Sequence, residues 1–327
     1  MKPAPAAAVA AAALAAAATL VALRAPAPGP VLFGEGVFST PADEFGAALS
    51  PDGQFAFFNR SVPRSQLYTI FVTRRSGSGW RPPEVAGFSG QWRDFDPVFG
   101  PSGRLYFISD RPRPGKAEDG EYNVWFVGDP GSSGSEAREL GPPVNGSGSV
   151  HFASETSEGT LYVCASREDG TDPSDVYRVA RTAGGYAPPE SLGPGVNGPE
   201  WLNLEAYVSA DESVLVVSAY GHDDALGDSD LYAARRCDAR WSPLVNLGEP
   251  VNSVAREYSP RITPDGKTLL YASERGLPTE PRRKGTTYAE LTRRIRGVEN
   301  GLGNIYSVAL DAALARVPAC TAAPPAP

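Results

Sequence analysis

The stretch that decides the fold is Glu257–Arg275, EYSPRITPDGKTLLYASER. It reads as two short strands around a tight turn. Pro264-Asp265-Gly266 supplies the turn: proline fixes φ, the aspartate caps its own backbone, and glycine tolerates positive φ. Leu269, Leu270 and Tyr271 then form a β-prone apolar run. One hairpin alone is marginal in water, but this one recurs. Glu44–Arg60 (EFGAALSPDGQFAFFNR) and Asp94–Arg111 (DFDPVFGPSGRLYFISDR) repeat it well. Val150–Arg167 and Asn203–Tyr220 repeat it loosely. The equivalent turn residues Gly53, Gly103, Gly159, Glu212 and Gly266 are separated by 50, 56, 53 and 54 residues. A period near fifty with several strands per unit signals a propeller or array.

Each copy has two further elements. A polar residue followed by an apolar–aromatic pair reads as a third strand: Gln66-Leu67-Tyr68, Asn123-Val124-Trp125, Asp175-Val176-Tyr177, Asp230-Leu231-Tyr232 and Asn304-Ile305-Tyr306. A Pro/Gly-rich segment follows, clearest at Leu247-Gly248-Glu249-Pro250-Val251-Asn252-Ser253. Proline there fits an exposed outer strand. The fifth unit ends after its third strand. Val31–Ser39 resembles Leu247–Ser253 and precedes the first hairpin, so it is expected to complete the last blade, close the ring and remove an open edge. The fold class is therefore all-β: a β-propeller of four-stranded blades, five in the preferred count and six in the alternative. The propeller is expected over residues 31–312, with a disordered Ala/Pro-rich tail over 313–327.

The repeat resembles the TolB-like β-propeller repeat, a WD-repeat-like module with the pattern E-x-x-P-x-x-S-P-D-G-x-x-L-Y-F-x-S-x-R. The matching residues are Glu257, Pro260, Thr263–Gly266, Leu269–Tyr271, Ser273 and Arg275, and the resemblance covers about residues 31–310. It implies a propeller used as a scaffold, a peptide binder or a gate in front of a hydrolase. TolB itself carries an extra N-terminal domain and is usually six-bladed. There is no room here for both, so a role in envelope transport is not carried over.

The 327 residues are 41% hydrophobic, enough for a full core. The formal net charge is −8, and it becomes more negative if Lys2 and Arg24 leave with a leader. An acidic surface argues against nucleic acid as a partner, since phosphate binding needs a basic footprint. Residues 1–30 hold Lys2, an Ala/Leu/Val run from Ala6 to Leu23, Arg24 and a Pro/Ala stretch. This reads as a secretory leader, either cleaved or kept as a single anchor. A periplasmic or extracellular location is expected, with membrane contact only through that segment, and a monomeric state.

Of the three cysteines, Cys164 reads as a small buried residue. Export permits a Cys237–Cys320 disulfide, and two unrelated thiols is the preferred reading. Blade five alone carries a long insertion, Gly276–Gly303. Within it Thr287–Arg296 reads as a helix, with Thr287 as N-cap, Glu290 three residues on, and Tyr288, Leu291 and Ile295 on one face. The basic clusters Arg282-Arg283-Lys284 and Arg293-Arg294-Arg296 flank it. A helix packed on the propeller side and a lid or docking element are the two readings.

No Gly-x-Ser-x-Gly elbow, P-loop, dinucleotide fingerprint or His-rich metal spacing occurs, so no catalytic or metal residues are assigned. Position is the remaining guide. The Pro-Asp-Gly turns define one face of the ring. Loops entering the inner strands, and loops joining second and third strands, define the other. Candidate ligand-binding residues at that second mouth are Glu44, Asp94, His151, Asn203, Glu205 and Glu257, with Arg60, Arg111, Arg167, His222 and Arg275 around them. Most follow the repeat, which favours acid–arginine pairs tying neighbouring blades. His151, Glu205 and His222 break it. The acidic loops Asp169–Asp175 and Asp223–Asp230 offer oxygen donors of the kind Ca²⁺ takes, and turn-capping by aspartate is the alternative. No other cofactor is expected. The expected role is a non-enzymatic binder of a protein, peptide or glycan. The alternatives are a glycoside-active enzyme using mouth carboxylates and a structural domain docking a partner through the helix.

Overall fold

The computed structural model describes residues 29–63, 67–116, 120–132, 134–146, 148–166, 174–276 and 285–320. Five antiparallel sheets form the blades of a ring. Their inner strands are Asp43–Leu49, Asp94–Phe99, Val150–Glu155, Leu202–Val208 and Glu257–Ile262. Each is followed in its sheet by the next strand of the repeat, as a meander. The outer position of blades one and four is split into two short pieces, Gly79–Trp80 with Glu84–Val85 and Arg240–Trp241 with Val245–Asn246. Pro82 and Pro83, and likewise Pro243, lie at those breaks, because proline cannot donate to a ladder.

The ring closes as the sequence predicts. Val31 pairs with Ser307 and Leu32 with Tyr306, and the Phe33 amide donates to the Ile305 carbonyl at 2.8 Å. Val31 and Leu32 are thus the outer strand of the last blade.

A polar clip fixes each outer segment. In blades two, three and four an asparagine side chain imitates a neighbouring strand. Asn145 pairs both ways with the backbone of Val124, Asn197 with Val176, and Asn252 with Leu231, every bond 2.9 Å. In blade five Ser39 exchanges bonds with the Ile305 backbone, 3.0 Å each way. In blade one Ser89 accepts from the Ile70 amide at 3.0 Å. These clips satisfy backbone groups buried where the short outer strands stop.

Packing follows the ring. Five hydrophobic clusters each fill one blade–blade interface. The cluster at the closure joins Phe38, Ala47, Ala56 and Phe58 to Leu270 and Ile305. Each fully buried Phe or Leu contributes about 1.5–3 kcal/mol relative to exposure, so ring closure stabilises both end blades.

Two sequence expectations change here. Cys237 and Cys320 are bridged, with Cα atoms 5.4 Å apart, a separation disulfides favour. The packed chain also runs past residue 312. A short helix over Leu310–Ala313 places Leu310, Ala313, Leu314 and Val317 in the blade four–five core. Apolar spacing within the Ala-rich tail supplies that anchor, and the bridge holds its end. Cys164 is buried, as expected. The leader through residue 28, the loop 167–173 and residues 277–284, including Arg282-Arg283-Lys284, lie outside the described residues.

The insertion helix forms over Tyr288–Ile295 with the full capping box: Thr287 accepts from the Glu290 amide, and Glu290 accepts from the Thr287 amide. None of its residues is buried. It does not lay its apolar side on the propeller.

Candidate binding site in the propeller channel

All five inner strands carry a register shift near their third residue. A bulge re-aims the side chain at that point. The column at the shift reads Gly46, Asp96, Phe152, Glu205 and Ser259; in blades three and four the unpaired residue is the one before it, His151 and Leu204. Gly46, Asp96 and Ser259 have φ of 65°, 51° and 50°.

These positions build a polar plug on the ring axis. The Arg261 guanidinium donates to Asp96 Oδ1 at 2.9 Å and to the carbonyls of Pro97 and Pro260 at 3.1 and 2.8 Å. Ser259 Oγ donates to the same Asp96 oxygen at 2.8 Å. The Arg261 guanidinium also lies 4.6 Å from the Phe152 ring centre. Both ion-pair partners are buried. Gly46 suits the crossing through its backbone: its φ of 65° would strain a side chain, whereas a Cβ there would meet Asp96 Oδ1 and Arg261 Nη2 only at ordinary contact distance, 3.4 and 3.5 Å. Asn59 joins blade one to blade two by accepting from the Asp96 amide and donating to the Asp94 carbonyl.

Glu205 differs from its neighbours. It is buried, and its Oε2 has no hydrogen-bond partner in the structure. Burial, and then the Asp96 charge, push its carboxyl up to about 7, against the lowering effects of Ser218, Arg261 and Arg256.

Two spaces flank the plug. On the loop face, aromatic rings run in an arc across blades five, one, two and three. Tyr258 lies 5.8 Å from Phe45, Phe45 6.0 Å from Tyr68, Tyr68 5.5 Å from Phe95, Phe95 5.1 Å from Tyr122 and Tyr122 6.1 Å from His151. Tyr68, Phe95, Tyr122 and His151 are half-buried and leave ring surface open. Arg256 sits 5.0 Å from the Tyr258 ring and donates to Tyr220 Oη, and Arg93 sits 5.2 Å from Tyr122. On the turn face lies a cavity of about 530 Å³ walled by Leu49, Phe99, Tyr207, Ile262 and Leu310 and rimmed by the turns.

The predicted site residues divide sharply. Glu44, Asp94, Asn203 and Glu257 are fully buried and do not face ligand. Arg60, Arg111 and Arg275 bond the acid of their own blade, at 2.9, 2.5 and 3.2 Å. The repeat pattern predicts pairs that tie neighbouring blades. The register instead sets acid and arginine on adjacent strands of one sheet, and the link to the preceding blade runs from each arginine to a crossing-loop carbonyl: Val37, Phe88 and Val251. Hydroxyl and amide donors from Thr40, Ser89, Ser109, Ser253 and Ser273 complete each acid's shell. Burial still pushes the Glu44 and Asp94 carboxyls up. Asn203 donates to the Val196 carbonyl.

His222 is stacked between Trp201 and Tyr232, at 3.9 and 4.0 Å, on the third-strand side of blade four. His151 closes the aromatic arc, and burial pulls its imidazole down. Arg167 lies outside the described residues. In the loop Asp223–Asp230, Asp230 accepts from the Leu226 and Gly227 amides and from Asn246, and Asp224 accepts from Tyr232. These oxygens cap the turn. Among the described residues no group of three or more His, Cys, Asp or Glu is arranged for a metal.

Sequence reasoning missed Asp96, Arg261 and the arc. The signals were present. Three repeat acids are followed by an aromatic residue, as Glu44-Phe45, Asp94-Phe95 and Glu257-Tyr258. The next column reads Gly46, Asp96, Phe152, Glu205, Ser259 and departs from the repeat in every blade.

No protein-family profile matches the chain, and no curated protein sequence does. Solved structures do match. One, described as a BT0996 RGII complex, has a TM-score of 0.52 at 10% identity, covering 91% of this chain and 94% of its own. One described as a glycoside hydrolase has a TM-score of 0.51 at 10% identity, covering 92% and 95%. The likeness is one of fold. A puromycin-hydrolyzing peptidase of Mycobacterium tuberculosis matches at TM-score 0.41 and 16% identity over 80% of this chain, and the chain spans 41% of that peptidase.

Proposed function

We propose that this chain is an exported, non-enzymatic binding propeller that takes a glycan or peptide at its loop-face mouth, in keeping with its TolB-like repeat. One observation carries the reading: half-open aromatic rings form an arc on the loop face, and the same ring of inner strands buries a carboxyl, Glu205, whose Oε2 has no internal partner. Aromatic faces stack on sugar rings or apolar side chains, and a ligand that displaces the cover over Glu205 would give its buried oxygen a hydroxyl or amine donor. The repeat acids hold the strands in register, and the buried Asp96–Arg261 pair links blades two and five across the ring. A screen of glycans and envelope-type peptides by calorimetry, repeated on Tyr122→Ala and Glu205→Gln, tests it. Each variant is expected to weaken binding at least about tenfold, on the order of 1–3 kcal/mol for a lost buried contact. Unchanged affinity in both variants, or a ligand cross-linked to the turn-face cavity, defeats the proposal.

A second reading, a glycoside-active enzyme, rests on the same carboxyl. A glutamate held near neutrality suits a general acid. Asp96, the adjacent carboxylate, is tied by Arg261 and Ser259, which disfavours it as the second group of such a pair. Release of aryl leaving groups from a panel of glycosides, lost in Glu205→Gln, would favour this reading over pure binding.

A further inference from the structure

We propose that the helix Tyr288–Ile295 is a docking element for an anionic lipid surface. It is built to stand away from the ring. Its N-terminus is closed by the capping box, and Asn300 ties its last turn to the body by donating to the carbonyls of Ile295 and Pro41 at 3.2 and 3.0 Å. The base is held as well: Tyr306 Oη donates to Glu299, and the Glu299 amide donates to Asn304. An eight-residue helix has little stability of its own in water, and this one has no buried residue to add to it. Tyr288, Leu291 and Ile295 are 85%, 41% and 60% exposed.

The charge pattern selects the occupant. At 100° per residue the three apolar side chains fall within an arc of about 60°, and Arg294 and Arg296 lie about 60° and 80° beyond its two ends. Arg293 adds a third positive charge, while the one acid, Glu290, is engaged in the cap. A basic element on a chain of net charge −8 calls for an anionic surface. An apolar stripe with arginines on both flanks is the arrangement in which a helix lies flat in a bilayer interface, side chains down and guanidinium groups reaching the headgroups. The short stripe makes the contact weak and salt-sensitive.

Full-length Tyr288→Trp protein, with wild-type fluorescence subtracted, is mixed with vesicles whose acyl chains are brominated. Phosphatidylglycerol-containing vesicles are expected to quench the introduced tryptophan, and pure phosphatidylcholine vesicles are not. Adding Arg294→Glu and Arg296→Glu is expected to reduce partitioning at least about tenfold. Reading the helix itself keeps the result independent of residues 1–30. No quenching by either vesicle overturns the proposal. So does equal quenching by both that survives the arginine changes. A fluorescence shift that follows protein concentration without lipid also overturns it, by assigning the face to a second copy of the chain.

Discussion

Glu257 and Glu205 lie on neighbouring inner strands, both buried, and the structure treats them in opposite ways. Glu257 accepts from Ser253, Ser273 and Arg275. Glu205 keeps an unpartnered oxygen and a raised carboxyl. The same contrast separates the outer row of the channel from its axis. Rows that follow the repeat carry their partners with them, because the repeat that copies an acid also copies a hydroxyl residue and the arginine that satisfy it. Positions that break the repeat are satisfied singly, as Asp96 is by Arg261, or left open, as Glu205 is. A buried charge without compensation is costly, so the open position holds its proton toward neutral pH where the repeat positions hold partners.

The largest expected effect is at the axis. Arg261→Ala strands Asp96 in the interior and is expected to cost about 3–5 kcal/mol in chemical denaturation. The double variant Asp96→Asn/Arg261→Met is expected to recover most of that. Full stability in Arg261→Ala alone would erase the distinction between the two rows. Next, Cys237→Ser opens a bridge spanning 83 residues and is expected to cost about 2–4 kcal/mol. The loss should appear in protein prepared under oxidising conditions and vanish when both forms are reduced.

Glu205 sharpens the comparison through pH. Its folded value, about 7, lies above the ordinary 4.5, so between those values the folded chain keeps a proton that the unfolded chain releases. The contribution is complete below pH 4.5 and is lost as pH rises through 7, by about 3 kcal/mol in all. Glu205→Gln should flatten that part of the stability–pH curve, and a curve identical to wild type would place the proton elsewhere. The smallest effect belongs to the repeat. Glu257 is buried and Arg275 mostly so, but Ser253 and Ser273 still donate to the acid when the arginine is gone, so Arg275→Ala is expected to cost about 1–3 kcal/mol.

The five blades, the strand order and the N-terminal closure were legible because each is written several times. Pro-Asp-Gly turns at a period near fifty leave few other architectures. The helix was legible from Thr287 and Glu290, but the direction of its apolar face was not, since periodicity fixes a stripe and not what covers it. The bridge was obscured because cysteine spacing alone does not set Cα separation. The candidate site was the least legible part. Repeat acids such as Glu44 and Asp94 drew the reading toward the mouth, whereas the fold spends them inside the sheet. Asp96 and Arg261 are 165 residues apart, and only ring closure brings them together.

Carboxyl ¹³C NMR of Glu205 across pH, assigned by comparison with Glu205→Gln, reads the difference between the two rows directly. A midpoint near 7, well above that of exposed glutamates, is the expected result, with a downward shift when a cationic ligand fills the mouth. A midpoint below about 5, in the range of an ordinary solvated glutamate, would contradict the account and leave the aromatic arc without a carboxyl to work with.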